Sequence, residues 1–245
     1  VANKGNLETV KRLCQRLNEI MTFAVNTGVL ESNPLAGISS AFEPPIKKHL
    51  PTIKPDQLPQ LMRALSNASI NRTTRCLIEW QLHTITRPFE AAGTRWDELD
   101  TEARLWRIPA TRMKTKKEHI VPLSVRSLSL LDYMKSINCR SEFVFPSDIK
   151  LGSHINSQTA NMALKRMGYG GLLVAHGLRS VASTILNNQG FEPELIEVCL
   201  SHIDKNQVRS AYNRADYLER RQKIMDWWSE HITQAATGNF SLADD

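Results

Sequence analysis

The chain has 245 residues, of which 41% are hydrophobic and 23% are charged, a composition typical of a folded globular protein and not of a disordered one. No apolar run reaches the roughly 18 residues that a membrane-spanning helix requires, and no signal peptide is visible, so we expect a cytoplasmic protein. The formal net charge of +6 is compatible with a polyanionic partner but does not by itself require one.

The first part of the chain predicts one helix followed by a linker. Apolar residues at three- and four-residue spacing predict an amphipathic helix over residues 7–28. Residues 43–55 contain four prolines and three lysines and predict an extended basic linker. Because a lone helix cannot form a core, we expect residues 1–42 to be the end of an upstream domain, and the start at Val1 agrees with a missing upstream region.

Two helices are predicted after the linker, over Pro55–Leu65 and Thr73–Thr84. Pro88 then suits the first position of a further helix, because proline lacks the N–H that this position leaves unpaired. This start places Arg87 at a helix junction. Glu90 falls in the first turn, where its carboxylate can reach back to Arg87.

Alternating patterns then predict three short strands, Thr94–Leu99, Arg104–Ile108 and His119–Leu123, which form a small antiparallel sheet. The turn Arg112–Lys117 joins the last two strands. Between positions 103 and 126 the chain carries seven basic residues and a single acid. This segment therefore has either an anionic partner or a well-solvated face.

Helices resume after the sheet. They are predicted over Val125–Ser136, Ser157–Met167, His176–Asn188, Pro193–Leu200, Asn206–Asn213 and Asp216–Thr233. We therefore expect an α+β protein, mainly α-helical, in which residues 56–245 form one domain around a three-stranded antiparallel sheet. The tail Ala235–Asp245 is expected to be loosely held.

Four side chains along this domain could form a phosphate site. His176 and Arg179 lie three positions apart on one helix, so an imidazole and a guanidinium could converge on one small anion, or could form a plain surface pair. Arg87 could be a second arm of the clamp, or a structural partner of Glu90. Lys114 could deliver a proton to a leaving oxygen, or belong to a turn that is simply basic.

A histidine and a tyrosine complete the set. His202 precedes Tyr212 by ten positions, and Tyr212 lies on a short predicted helix before a break near Ala215. A tyrosine there could act as a nucleophile or merely pack. The four cysteines lie far apart, with no pair at metal-ligand spacing, which predicts reduced thiols without zinc or disulfides.

Taken in order, Arg87, Lys114, His176, Arg179, His202 and Tyr212 resemble the Arg–Lys–His–Arg–His–Tyr set of tyrosine recombinases of the phage and genomic-island integrase type. The resemblance extends from Leu7 to Trp228. It is carried by the segments TRPFEAAGTRWDEL, MKTKKEHIVPLS, HGLRSVAST, LSHIDKNQVRSAYNRADYLERR and MDWW. The spacing from His202 to Tyr212 is one residue longer than in many members of the family, which keeps Tyr217 as a second candidate.

The resemblance implies the fold of the DNA breaking-rejoining enzymes, with residues 1–42 as the end of a core-DNA-binding domain. It also implies a mechanism in which Tyr212 forms a 3′-phosphotyrosyl link, Arg87 and Arg179 hold the phosphate and Lys114 protonates the leaving oxygen. His176 would assist proton movement and His202 would contact the phosphate. No metal ion or other cofactor is expected.

The partners that the resemblance implies are double-stranded DNA at attachment sites, three further copies of the chain in a tetramer on DNA, and accessory DNA-bending or excisionase proteins. The implied role is integration or excision of a prophage or other mobile element. Two alternatives stay open: a type IB topoisomerase-like activity, and a DNA-binding remnant that has lost catalysis.

Overall fold

Helices dominate the computed structural model, which describes residues 5–46, 49–138, 140–202 and 214–237. The chain divides into two compact units, residues 1–49 and 50–245, at a point inside the predicted linker. In the first unit, helix α1 (Leu7–Asn26) buries Val10 and Cys14 and ends close to the predicted residue. A short 3₁₀ helix, Ile38–Ala41, follows it.

The second unit contains eight described helices and one sheet. The helices are α2 (Leu58–Asn67), α3 (Arg72–Thr84), α4 (Pro88–Ala92), α5 (Val125–Ile137), α6 (Thr159–Leu164), α7 (Gly177–Asn188), α8 (Pro193–Cys199) and α9 (Arg214–Ala236). The strands are β1 (Leu99–Asp100), β2 (Leu105–Ile108) and β3 (His119–Pro122). They pair antiparallel in the order β1-β2-β3, which confirms the predicted three-stranded sheet.

Strand β1 is shorter than predicted. Residues 94–98 were expected to extend it, but Trp96–Glu98 form a 3₁₀ turn instead. The reason is the Glu98 carboxylate, which turns inward, accepts a hydrogen bond from Trp106 Nε1 at 3.0 Å and pairs with Arg112. A continuous strand would alternate its side chains and break this buried contact.

Two predicted boundaries in the last part of the chain change as well. Helix α6 stops at Leu164, and a wider helical turn follows at Lys165–Tyr169, in which Gly168 has a positive φ of 91°. Ala236, expected in a loose tail, is 1% exposed within α9, so the tail prediction is wrong for the first residues of that segment. The predicted helix Asn206–Asn213 and the rest of the tail beyond residue 237 lie outside the described residues.

The core of the second unit forms around α3, which is buried on nearly all sides. Trp80 packs against Trp106 of β2 at a ring distance of 5.3 Å and against Phe145 at 6.4 Å. Helix α9 covers the opposite side of α3, where Trp228 Nε1 donates to the Leu82 carbonyl at 2.8 Å. Because α3 is packed on nearly all sides, the position of its last residue, Thr84, is well defined. Arg87 follows Thr84 by three residues.

The last residues of the predicted linker pack onto α7 instead of extending into solvent. Ile53 is buried, Thr52 Oγ1 donates to the Gly177 carbonyl at 3.0 Å, and Val174 N donates to the Pro51 carbonyl at 3.3 Å. Gly177 permits this approach, because a Cβ at that position would lie 2.3 Å from the Pro51 oxygen.

Among the helices within the described ranges, none combines the length and the apolar character needed to cross a membrane.

Candidate active site

Arg87 is held at the start of α4 by a carboxylate from the same turn. Arg87 is the N-cap residue, Pro88 occupies the first helical position, and Glu90 is 2% exposed. The Glu90 carboxylate accepts from Arg87 N at 2.9 Å and from Arg87 Nη1 at 2.8 Å. The predicted contact between Arg87 and Glu90 is therefore confirmed. The other terminal nitrogen of Arg87, Nη2, donates to the Ser201 carbonyl at 3.1 Å.

Arg179 is 4% exposed in the first turn of α7 and is surrounded by main-chain oxygens. Its Nη1 donates to the Ile85 carbonyl at 2.5 Å, and its Nη2 donates to the Leu200 carbonyl. Nη2 also lies 3.5 Å from His202 Nε2. Burial and the nearby Arg87 lower the pKa of Arg179 to about 10. The guanidinium therefore stays charged at neutral pH and can hold an anion.

Two residues near the carbonyls that accept from Arg179 have a left-handed backbone conformation. Ile85 has φ 49° and links α3 to the Arg87 junction, while Ser201 has φ 50° and follows Leu200. A β-branched residue in this region is a genuine outlier among L-amino acids. The Ile85 carbonyl itself accepts from Arg179, so this backbone strain is located at the candidate site.

The end of α8 sets the position of His202. Ser201 N donates to the Val198 carbonyl at 3.0 Å and His202 N donates to the Glu197 carbonyl at 2.9 Å. This pair of bonds is the Schellman arrangement that ends many helices, usually with glycine at the left-handed position that Ser201 holds here. The imidazole of His202 lies next to the Glu197 carboxylate, with Nδ1 and Oε2 2.5 Å apart.

His176 is the N-cap residue of α7, three positions before Arg179. Burial, then the charges of Arg179 and Arg87, lower the pKa of His176, and His202 acts in the same direction. These influences keep its imidazole neutral near pH 7, the form that can accept a proton.

Lys114 is not connected to this group. It is exposed in the turn between β2 and β3. The turn itself is anchored by Arg112, whose Nη2 donates to the Glu90 carbonyl at 2.8 Å and whose Nη1 pairs with Glu98. Lys114 thus lies two positions after Arg112, the residue that anchors the turn to α4.

Tyr212 lies outside the described residues. Tyr217, the second candidate, belongs to α9 and packs against the hydrophobic core of the second unit.

Three contributors to the site were not predicted from the sequence: the Glu197 carboxylate, the main-chain carbonyls and His119. His119, at the start of β3, is 7% exposed and hydrogen-bonds to the Cys199 backbone. Burial, followed by the charges of Arg221, Arg179 and Arg87, lowers the pKa of His119 to about 3. The signal for His119 was its place in a strand of otherwise apolar residues. Carbonyl acceptors carry no side-chain signal at all.

No group of three or more metal-binding side chains was found in the part of the chain that the structure describes. A cleft between the start of α3 and α6 lies elsewhere, lined by Asn71, Asn156 and Arg166 among others, and none of the predicted site residues lines it. Two guanidinium groups held at the end of α8, with the imidazole of His202 beside them, form an arrangement that can bind an anion.

Comparison with known proteins places the chain among integrases by sequence similarity. A sequence profile described as the phage integrase family matches residues 51–219. Prophage integrase IntA of Escherichia coli (strain K12) is 55% identical over 242 residues, which are 99% of this chain and 59% of that protein. The integrase of Enterobacteria phage P4 is 33% identical, over 97% of this chain and 58% of its own length. The chain thus spans about six tenths of the length of these relatives.

Solved structures share the fold. A lambda integrase dimer bound to a COC′ core site superposes with a TM-score of 0.63 at 18% identity, over 84% of this chain and 78% of that one. A lambda integrase tetramer bound to a Holliday junction gives 0.64 at 17% identity, over 84% of this chain and 61% of that one. These matches confirm the predicted fold class.

Proposed function

This chain belongs to the phage integrase family of tyrosine recombinases, and we propose on that premise that it cleaves and rejoins DNA strands at specific sites. Its substrate is double-stranded DNA, its intermediate is a 3′-phosphotyrosyl ester, and its role is integration or excision of a mobile element. The protein acts where bacterial DNA lies, in the cytoplasm, as a tetramer assembled on two duplexes and assisted by accessory DNA-bending or excisionase proteins. Residues 1–42 are the end of a core-DNA-binding domain.

The observation that carries the proposal is the contact between the two arginines and the end of α8. Arg87 Nη2 and Arg179 Nη2 donate to adjacent carbonyls, those of Ser201 and Leu200, and Arg179 lies 3.5 Å from His202. Three side chains that are distant in sequence thus share one small region. Two fixed cations can stabilise the charge that builds on phosphate oxygens in the transition state, so no metal ion is required for that purpose.

The proposed reaction assigns one role to each of the six site residues. The Tyr212 oxygen attacks phosphorus, the bond from phosphorus to the 5′-oxygen breaks, and the strand is left joined to the tyrosine through its 3′-phosphate. His176, neutral for the reasons given above, takes the phenol proton, and Lys114 gives a proton to the departing 5′-oxygen. Because the tyrosyl ester conserves the phosphodiester bond energy, the 5′-hydroxyl of a partner strand reverses the step without ATP.

The assignment of Tyr212 over Tyr217 has support from packing. Tyr217 contributes to the core of the second unit, so its ring already has a structural role. Lys114 lies two positions after Arg112. The Arg112 side chain donates a hydrogen bond to the main chain of α4, and Arg87 is the N-cap residue of that helix. A lysine on such a tether can extend toward a phosphate held by Arg87.

A suicide substrate tests the proposal directly. A nicked duplex taken from either end of the genomic element that encodes the chain is incubated with the protein, and covalent adducts are separated on a denaturing gel. We expect an adduct with the natural chain and with Tyr217→Phe, but none with Tyr212→Phe. An adduct that persists in Tyr212→Phe would remove Tyr212 from its role. DNA binding without any adduct would identify a silent binding protein, and relaxation of plasmids that lack the element ends would identify a topoisomerase.

A further inference from the structure

A carboxylate lies against His202 at a position fixed by the end of α8. In the Schellman arrangement the residue after the left-handed position comes back beside the third residue from the helix end. Here these residues are His202 and Glu197, joined through the backbone at 2.9 Å and through Nδ1 and Oε2 at 2.5 Å. Two independent contacts therefore hold the main chain and the ring of His202 to the same glutamate.

The stability that this pair contributes is small. The side chains of His202 and Glu197 are 48% and 54% exposed, and pairs as exposed as this one contribute little to folding stability because water screens them. Its effect on the imidazole is different in kind. A carboxylate can only accept, so Nδ1 must carry the hydrogen, and the other nitrogen, Nε2, is the one that lies 3.5 Å from Arg179 Nη2. The contact thus selects which nitrogen faces the arginines.

We propose that Glu197 is a positioning residue for His202, holding Nδ1–H so that Nε2 faces the phosphate site formed by Arg87 and Arg179. The inference rests on the proposed function, because it assumes that His202 contacts the scissile phosphate. To donate to a phosphate oxygen, Nε2 must carry a proton as well. The Glu197 carboxylate then serves as the ion-pair partner of the resulting imidazolium, as an aspartate does in a hydrolytic triad.

The two possible replacements of Glu197 separate orientation from charge. Glutamine keeps an oxygen that accepts from Nδ1–H but carries no charge, whereas alanine removes both. We expect Glu197→Ala to slow adduct formation on a suicide duplex by roughly tenfold or more under single-turnover conditions, the lower end of the losses that follow when the hydrogen-bond partner of a metal-binding histidine is removed. Glu197→Gln is expected to lie between Glu197→Ala and the natural chain.

Glu194→Gln is the matched control, since it removes the same charge from the exposed face of α8 one turn earlier. It should leave the rate of adduct formation unchanged. DNA affinity, measured in a Tyr212→Phe background, should be unaffected by Glu197→Ala, so that the loss appears in the rate and not in binding. In a His202→Asn background, Glu197→Ala should produce no further loss, because there is then no imidazole to position.

Nitrogen-15 NMR of the histidine rings provides a readout that does not need activity. In the DNA-free protein, His202 is expected to carry its hydrogen on Nδ1, and Glu197→Ala should move it toward Nε2. An unchanged ring spectrum in Glu197→Ala, or an adduct rate equal to that of the natural chain, would overturn the inference and leave the proposed function intact. Failure of the natural chain to form any adduct would overturn the proposed function, and the inference with it.

Discussion

Arg179 illustrates how far the candidate site depends on main-chain carbonyls. Its two Nη atoms donate to the Ile85 and Leu200 oxygens, and no carboxylate contacts it directly among the described residues. Carbonyls compensate a buried guanidinium only in part, so the group keeps an unsatisfied preference for an anion. The left-handed backbone at Ile85, which costs about 1–3 kcal/mol, is tolerated because it directs one of these carbonyls.

Arg179→Lys tests this dependence. A lysine ammonium cannot span two carbonyls with the planar fork of an arginine. One buried oxygen would lose its partner, and we expect the free energy of unfolding to fall by about 1–3 kcal/mol. Urea denaturation measures the change. Arg12→Lys is the control, because Arg12 forms an exposed pair with Glu8 on α1. An equal midpoint for Arg179→Lys and the natural chain would show that the fork is not needed.

The sequence predicted the basic side chains of the site but not the groups that hold them in place, which are the Glu197 carboxylate and the main-chain carbonyls. Arg87, Arg179 and His202 were selected because their side chains can bind phosphate, and the structure joins them by contacts; their catalytic roles stay predictions. Glu197 was missed because a glutamate on the outer face of a short helix is indistinguishable from a solvating residue. Its meaning depends on the left-handed turn at Ser201, and serine gives no signal for that conformation.

Helix ends, more than helix lengths, position the functional side chains. Arg87 and His176 are N-cap residues, and His202 lies just beyond the end of α8. The start of α7 is further fixed by the segment 51–54, which packs against it. Gly177 is the residue that permits this approach, and it lies between His176 and Arg179.

Gly177→Ala should therefore be costly. Its new Cβ would lie 2.3 Å from the Pro51 oxygen and 3.2 Å from Leu173 Cδ1, so backbone must move. We expect a loss of about 1–3 kcal/mol in the free energy of unfolding, typical of overpacking. Gly170→Ala is the matched control, since its Cβ would meet only the flexible Lys165 side chain at 3.3 Å. Equal midpoints for both variants in thermal denaturation would show that the close contact between Gly177 and the Pro51 oxygen does not limit the size of residue 177.

The elements themselves were largely predictable, because amphipathic periodicity depends on local sequence. The exceptions have tertiary causes. Strand β1 shortens because Glu98 turns toward Trp106 and Arg112, and this inward contact is invisible in an alternating pattern. The end of the linker packs against α7 because the Ile53 side chain is buried there, whereas the neighbouring prolines and lysines indicated an extended segment.

The second unit as a whole encloses two histidines that cannot be charged while it is folded. His83 is fully buried between α3 and α9, where its Nδ1 contacts Ser229 Oγ at 2.9 Å, and His119 is buried behind the arginines. Burial, followed by the charge of Arg126, lowers the pKa of His83 from 6.5 to about 3. Burial, followed by three arginines, lowers the pKa of His119 to the same value of about 3.

Stability should consequently fall with acidification. Below the unfolded pKa of 6.5, the unfolded chain binds protons that the folded chain excludes, so the free energy of unfolding decreases as pH falls from 6.5 toward 3. Between pH 7 and pH 5 the expected decrease is about 2 kcal/mol for each imidazole. Urea denaturation at both pH values measures it. His83→Gln should make the decrease smaller by about 2 kcal/mol, whereas His49→Gln, at an exposed position, should leave it unchanged. A decrease of unaltered size in His83→Gln would contradict the assignment.

The carbonyls at the end of α8 bear on how much this protein can vary. The Leu200 and Ser201 carbonyls accept from Arg179 and Arg87, and the Glu197 carboxylate contacts the His202 ring. A single residue inserted between Glu197 and Ser201 would therefore displace these acceptors relative to one another, and the insertion would disturb both guanidinium groups and the imidazole at once.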